Sequence, residues 1–180
     1  MPKDCYLYRP PGILHGPVSV PSEDGATIIQ RAVGEMRYFR YDGDEFPHEH
    51  GQPITDQYKD RPVTWNEHLD TNDLEWEPIT SGGWAGASIK WFYRHRDTGG
   101  GALLLSLPAG CRGAGSPARG PVEEFVVKGE LHADGVTCSE WGYAYRPVGM
   151  PAGEYASPEG ALLFCWRNGA NELNAEVVAA

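Results

Sequence analysis

Leu103 to Leu131 reads LLLSLPAGCRGAGSPARGPVEEFVVKGEL, and the fold turns on this run. An apolar stretch at either end flanks a loop crowded with Gly and Pro. Short apolar runs bounded by turn formers are strand signals. The same grammar extends outward along the chain. Strands are expected near Ala87–His95, Gly101–Leu107, Glu123–Leu131, Gly142–Arg146 and Gly160–Arg167. Asp97-Thr98-Gly99 and Ala133-Asp134-Gly135 carry turn chemistry between them. Strands at this spacing predict an all-β, antiparallel barrel or sandwich.

Composition agrees. The chain has 180 residues, of which 23 are Gly and 15 Pro, so turns are many and long helices few. Hydrophobic residues make up 41% and charged residues 22%, which places the chain among globular proteins rather than disordered ones. The 25 acidic residues against 15 Lys and Arg give a formal charge of −10. A nucleic-acid groove or an anionic membrane surface is therefore not expected as a partner. The N-terminus MPKDCYLYRPPG has no apolar signal core, and a cytoplasmic location is expected. Cys5, Cys111, Cys138 and Cys165 are scattered, without CxxC or zinc-site spacing, and read as reduced thiols.

An internal repeat organises the rest. YLYRPPGILHGPVSVPSEDGATIIQR, Tyr6 to Arg31, aligns with YAYRPVGMPAGEYASPEGALLFCWR, Tyr143 to Arg167. Tyr6, Tyr8, Arg9, Pro10, Gly12 and Gly16 meet Tyr143, Tyr145, Arg146, Pro147, Gly149 and Gly153; Gly25-Ala26 then meets Gly160-Ala161. Each copy reads as a strand, a Pro-Gly turn, an acidic-Gly turn and an apolar strand. The copies lie too far apart for a stacked solenoid. Either the chain is the later part of a two-domain protein, or the first copy serves as extra strands. The division expected is N-terminal strands over 1–41, a linker over 42–83, a barrel over 84–170 and a tail over 171–180. Asp70-Thr71-Asn72-Asp73, within the linker, offers N-cap chemistry for a short helical turn.

The run Leu103–Leu131 resembles the first motif of the cupin superfamily, and Gly142–Phe164 resembles the second. The bearing residues are Leu-x-x-Pro-x-Gly, then Glu-Glu-Phe-x-Val-x-x-Gly-Glu-Leu, then Tyr-x-Tyr-Arg-Pro-x-Gly. They are similar to cupins of the anti-sigma-factor ChrR and acetylacetone-dioxygenase type. The resemblance implies a jelly-roll, the antiparallel double-stranded β-helix, with extra N-terminal strands. It also implies a divalent metal held by two His and a Glu from the first motif and a His from the second. Aligned on Pro121-Val122-Glu123-Glu124, the two first-motif His positions fall on Ala118 and Gly120. The Glu position falls on Glu124 and the later His on Ala152. Three of the implied ligands are absent, so no metal is expected in the C-terminal barrel. In the N-terminal copy the corresponding position is His15, which leaves a divalent transition metal there as an alternative.

The other histidines are weaker candidates. His48 and His50 have His-x-His spacing but sit between Pro47 and Gly51 in an acidic segment. His68, His95 and His132 are isolated. With the imidazoles replaced by small residues, a ligand pocket is expected near Arg112, Arg119, Glu123, Glu124 and Tyr145. Trp91, Tyr93, Phe125, Tyr143 and Phe164 are the expected apolar walls. Arg112 or Arg119 would grip a carboxylate, with Tyr145 beside it. Glu124 has two readings: a catalytic proton shuttle, or a carboxylate paired with an arginine inside the barrel. The functions to separate are a small-molecule-binding cupin without metal, a metal-dependent cupin enzyme using His15 on a carbonyl compound, and an assembly module. The partners expected are a small organic ligand and a second copy in a homodimer, with strands exchanged as one arrangement.

Overall fold

A computed structural model describes residues 5–8, 27–31, 67–80, 84–94, 98–114, 119–151 and 153–167. The chain divides into two compact units, Met1–Leu7 with His68–Ala180, and Tyr8–Glu67. In the second unit residues 27–31 carry no strand, and Ile28 and Ile29 are exposed. Over the described residues 27–31 the apolar strand expected from the repeat is not formed.

The strands are β1 (Cys5–Tyr8), β2 (Glu67–Asp70), β3 (Glu77–Pro78), β4 (Ser88–Arg94), β5 (Gly101–Leu107), β6 (Cys111–Ala114), β7 (Val122–Ala133), β8 (Val136–Ser139), β9 (Tyr143–Arg146), β10 (Glu154–Ser157) and β11 (Ala161–Arg167). Among the described residues there is no α-helix, and no helix is long and apolar enough to cross a membrane. β1 and β2 form a two-stranded sheet. The other nine form one curled sheet in the order β3-β4-β5-β11-β7-β10-β6, with β8 and β9 also on β7. Every pairing resolved in it is antiparallel. The fold is an all-β jelly-roll.

Strand β7 makes the curl. Its first half pairs with β11 and β9, its second half with β10 and β8. Between the halves the register shifts, so that Val126 faces Leu163 and Lys128 faces Leu162, leaving Val127 as a bulge. Gly129 follows with φ +81°, and a Cβ there would overlap the Gly160 carbonyl. Only glycine satisfies both the backbone and the close approach. The Ala133-Asp134-Gly135 turn has positive φ at Asp134 and Gly135, the geometry that joins β7 to β8 tightly.

The core is the inward face of these strands. Ile89, Leu103, Leu105, Val126, Leu131, Leu163 and Cys165 are all buried in it. The ordered sheet also reaches into the segment read as a linker. Residues 67–80 carry β2, a 3₁₀ turn at Thr71–Asp73 and β3, and Ile79 lies in the core. Asp70 caps the turn, its carboxylate accepting from the Asn72 amide at 2.9 Å. Lys90 donates to the Thr71 carbonyl at 2.9 Å and ties the turn to β4. Gly51, Pro53 and Pro62, which suggested a linker, all precede this stretch, and Pro78 sits at the end of the two-residue β3. The expected tail over 171–180 lies outside the described residues.

Candidate functional site

Successive residues of a strand face opposite sides, so Glu123 and Glu124 cannot share a face. Val122, Glu124 and Val126 point into the barrel, and Glu123 and Phe125 point away. Directly opposite Glu124 are Cys165 on β11 and Ala144 on β9. Directly opposite Val122 are Arg167 on β11 and Arg146 on β9. The register therefore sets one arginine on either side of Glu124, each diagonal to it on an adjoining strand.

Both arginines reach the carboxylate. Arg167 Nη2 donates to Glu124 Oε1 at 3.2 Å, and Arg146 Nη2 lies 3.4 Å from Glu124 Oε2. All three side chains are buried, with Glu124 2% exposed. A charge so far from water must be paired. Two guanidiniums against one carboxylate leave an excess of positive charge. Asp134, on the turn after β7, offsets it with Oδ2 3.7 Å from Arg146 Nη2. Gly153 makes room for that carboxylate, since a Cβ there would overlap it. Below, the Arg146 guanidinium stacks 4.1 Å from the Tyr155 ring, which packs on Trp84.

Two polar atoms of this cluster are buried without a hydrogen-bond partner: Glu124 Oε2 and Arg167 Nε. Cys165 is fully enclosed beside them. Burial pushes its thiol up to about 12, against a smaller opposing pull from Arg167 and Arg146. It is a packing residue, not a nucleophile.

The sequence singled out Glu124, with an arginine partner as one of its two readings; the arginines the structure sets against it are Arg146 and Arg167, not Arg112 or Arg119. Arg112 is exposed on β6, and its Cα partner is Ala156, while the neighbouring Cys111 faces the core. Arg119 is exposed in the bend before β7. Tyr145 is 55% exposed and registers with Glu123, on the outward face. None of the three meets Glu124. The expected walls are corrected in the same way. Phe125, Tyr143 and Phe164 register with one another on the outward face, and Tyr93 registers with Ala102 in the row that holds Trp166 and Glu123. Trp91, opposite Leu103, shares the inward face. The cause is the two-residue period, together with a bulge at Phe92 that flips Tyr93 outward. A usable signal was present: the repeat pairs Arg9 with Arg146 and ends in Arg31 and Arg167. His15, His48, His50, Ala118 and Ala152 lie outside the described residues.

No protein-family model matches the chain, and no curated protein matches it. Solved structures do. An acetylacetone dioxygenase from Acinetobacter johnsonii superposes with a TM-score of 0.51 at 20% identity, over 62% of this chain and 80% of that one. A protein assigned as an acetylacetone dioxygenase, from Methylibium petroleiphilum, gives 0.53 at 20% identity, over 61% of this chain and 81% of that one. This chain has the cupin fold. A longer protein from Nostoc punctiforme, assigned as a dioxygenase, matches at 0.51 and 18% identity, and this chain covers 42% of it. At such identity the likeness concerns the fold alone.

The cupin barrel conventionally centres on a divalent cation, and the residues around Glu124 do not fit one. Glu124 is the sole carboxylate at the implied ligand positions, and Gly120 contributes no donor. Two guanidiniums occupy its coordination sphere at 3.2 and 3.4 Å and would repel a cation there. Among the described residues no group of three His, Cys, Asp or Glu side chains converges.

Proposed function

We propose that this cupin binds a small organic molecule in its barrel at a Glu124–Arg146–Arg167 cluster, without a resident metal ion. The observation that carries this reading is the carboxylate at the ligand position, buried and held between two arginines. The guanidiniums supply the positive charge that a cation would otherwise bring. Unlike a cation, they also offer directional N–H donors, which suit a planar oxyanion. On this reading Glu124 holds the arginines in place. The homodimer expected from the sequence belongs to the same proposal: β9 pairs only with β7 among the described strands, and Trp141, Tyr143 and Tyr145 beside that edge are exposed.

Elemental analysis of the purified chain, after exposure to zinc, iron, nickel and manganese and dialysis without chelator, tests the central claim. Transition metal far below one ion per chain is expected. A stoichiometric ion lost on Glu124→Gln would overturn it.

A further inference from the structure

The outward face of the sheet is covered at one end and bare at the other. At the β4 end Tyr6, from β1, stacks on Phe92 with 5.0 Å between ring centroids, and Phe92 stacks on Phe164 at 6.1 Å. Lys90, in the same outward row as Phe164, is buried and bonded to the Thr71 carbonyl. Phe164 registers with Phe125, and Phe125 with Tyr143, so the row runs on to β9. There the cover ends. Of the nine exposed large apolar side chains among the described residues, five (Trp141, Tyr143, Tyr145, Val148 and Met150) fall within residues 141–150. Such a cluster on one sheet edge marks an interaction surface rather than scattered exposure. Trp141 is held there at a cost. Its φ is +69°, a conformation that bulky residues rarely adopt, and its ring meets Phe125 edge-on at 6.0 Å.

Two observations choose the occupant. The covered end already seats a tyrosine of Tyr-Leu-Tyr-Arg-Pro, and the bare end displays Tyr143 and Tyr145 of the matching Tyr-Ala-Tyr-Arg-Pro. The face therefore fits side chains of the kind that the same chain exposes. Charge agrees. The chain carries −10 overall, yet residues 141–151 hold one charged group, Arg146, which is buried against Glu124 and Asp134. The nearest acids, Glu123 and Glu140, only border the stretch, one in register with Tyr145 and one in sequence. Two copies can meet across it without opposing their acidic surfaces. We infer that a second copy of this chain covers the β7–β9 end in a two-fold contact, with Tyr143 and Tyr145 at its centre and Trp141 as its anchor. Trp and Tyr carry most of the energy in contacts of this kind. The inference rests on the homodimer proposed above, whose surface it names, and is independent of what the barrel holds.

The test is sedimentation equilibrium of the full chain over a range of concentrations, with circular dichroism to establish that each variant folds. The unaltered chain should dimerise. Trp141→Gly removes the indole and suits the positive φ, so the fold should persist while the dimer weakens about tenfold or more. Tyr145→Glu sets like charges across the contact and should weaken it by a similar factor, less so at high salt. Val136→Glu changes a comparably exposed side chain on β8, outside the patch, and should leave the dimer intact. Should Trp141→Gly fail to fold, Tyr145→Glu decides. A dimer that keeps its affinity in both patch variants, or that Val136→Glu weakens as much as they do, overturns this surface and leaves the homodimer standing. A monomer at every concentration overturns both and gives the face to a partner of other chemistry.

Discussion

Glu123 and Glu124 are neighbours in one strand and live in different solvents. Glu123 faces outward, half-buried, and accepts from the Tyr143 hydroxyl at 3.1 Å. Glu124 faces inward, sealed from water, between Arg146 and Arg167. Around the first stand Tyr143 and Tyr145, both exposed; around the second, Ala144 and Cys165. The same side chain is thus a surface group at one position and the hub of a buried ionic cluster at the next. Chemistry in a sheet is assigned by parity before it is assigned by residue type.

Replacing each glutamate measures that contrast. Glu124→Leu strands two buried guanidiniums and should cost about 3–5 kcal/mol in chemical denaturation. Combining it with Arg146→Met and Arg167→Met removes the charges together and should recover most of that loss. If the single and the triple variants are equally unstable, the cluster is not ion-paired as described.

A smaller effect is expected from Cys165 in the same inward row. Its thiol is held protonated by burial, from an ordinary value of 9.0 up to about 12. The folded state therefore keeps a proton that the unfolded state releases. That contribution is fully present below pH 9 and is lost as pH climbs from 9 towards about 12. Removing the thiol by Cys165→Ala should flatten the alkaline fall in stability, and native Cys165 should resist alkylation while the half-exposed Cys138 reacts. Rapid labelling of Cys165 in the folded chain would place it outside the core.

The least change belongs to the outer face. Glu123→Ala removes partly solvated contacts, among them the hydrogen bond from Tyr143, and should cost only about 0.5–1 kcal/mol. A loss as large as that of Glu124→Leu would show that the two faces are not the distinct environments described.

Much of the sheet was legible in the order of residues. Gly101–Leu107 was read with its observed bounds, and the strands at 88–94, 122–133, 143–146 and 161–167 to within a residue or two. Apolar runs between Gly, Pro and Asp turns are strong local signals. The strands Cys111–Ala114, Val136–Ser139 and Glu154–Ser157 were not anticipated. They are short and polar, and their place comes from partners: Arg112 opposite Ala156, His132 opposite Thr137. Glu124 was singled out by its motif, whereas Arg112, Arg119 and Tyr145 were chosen by nearness to it in sequence and are not among the side chains the structure sets against it. Such nearness has little bearing on which face of a sheet a residue occupies.

Composition, turn grammar and the Glu-Glu-Phe and Tyr-x-Tyr-Arg-Pro motifs were enough to establish an antiparallel barrel of cupin type, and they drew attention to the carboxylate of Glu124. Those features are local, written within a few residues of one another. The identity of that carboxylate's partners was not local. Arg146 and Arg167 come from two other strands, and they reach Glu124 only because both register with Val122 across β7. Pairing between strands distant in sequence is fixed by packing the whole sheet, so the charge balance inside the barrel emerged only with the fold.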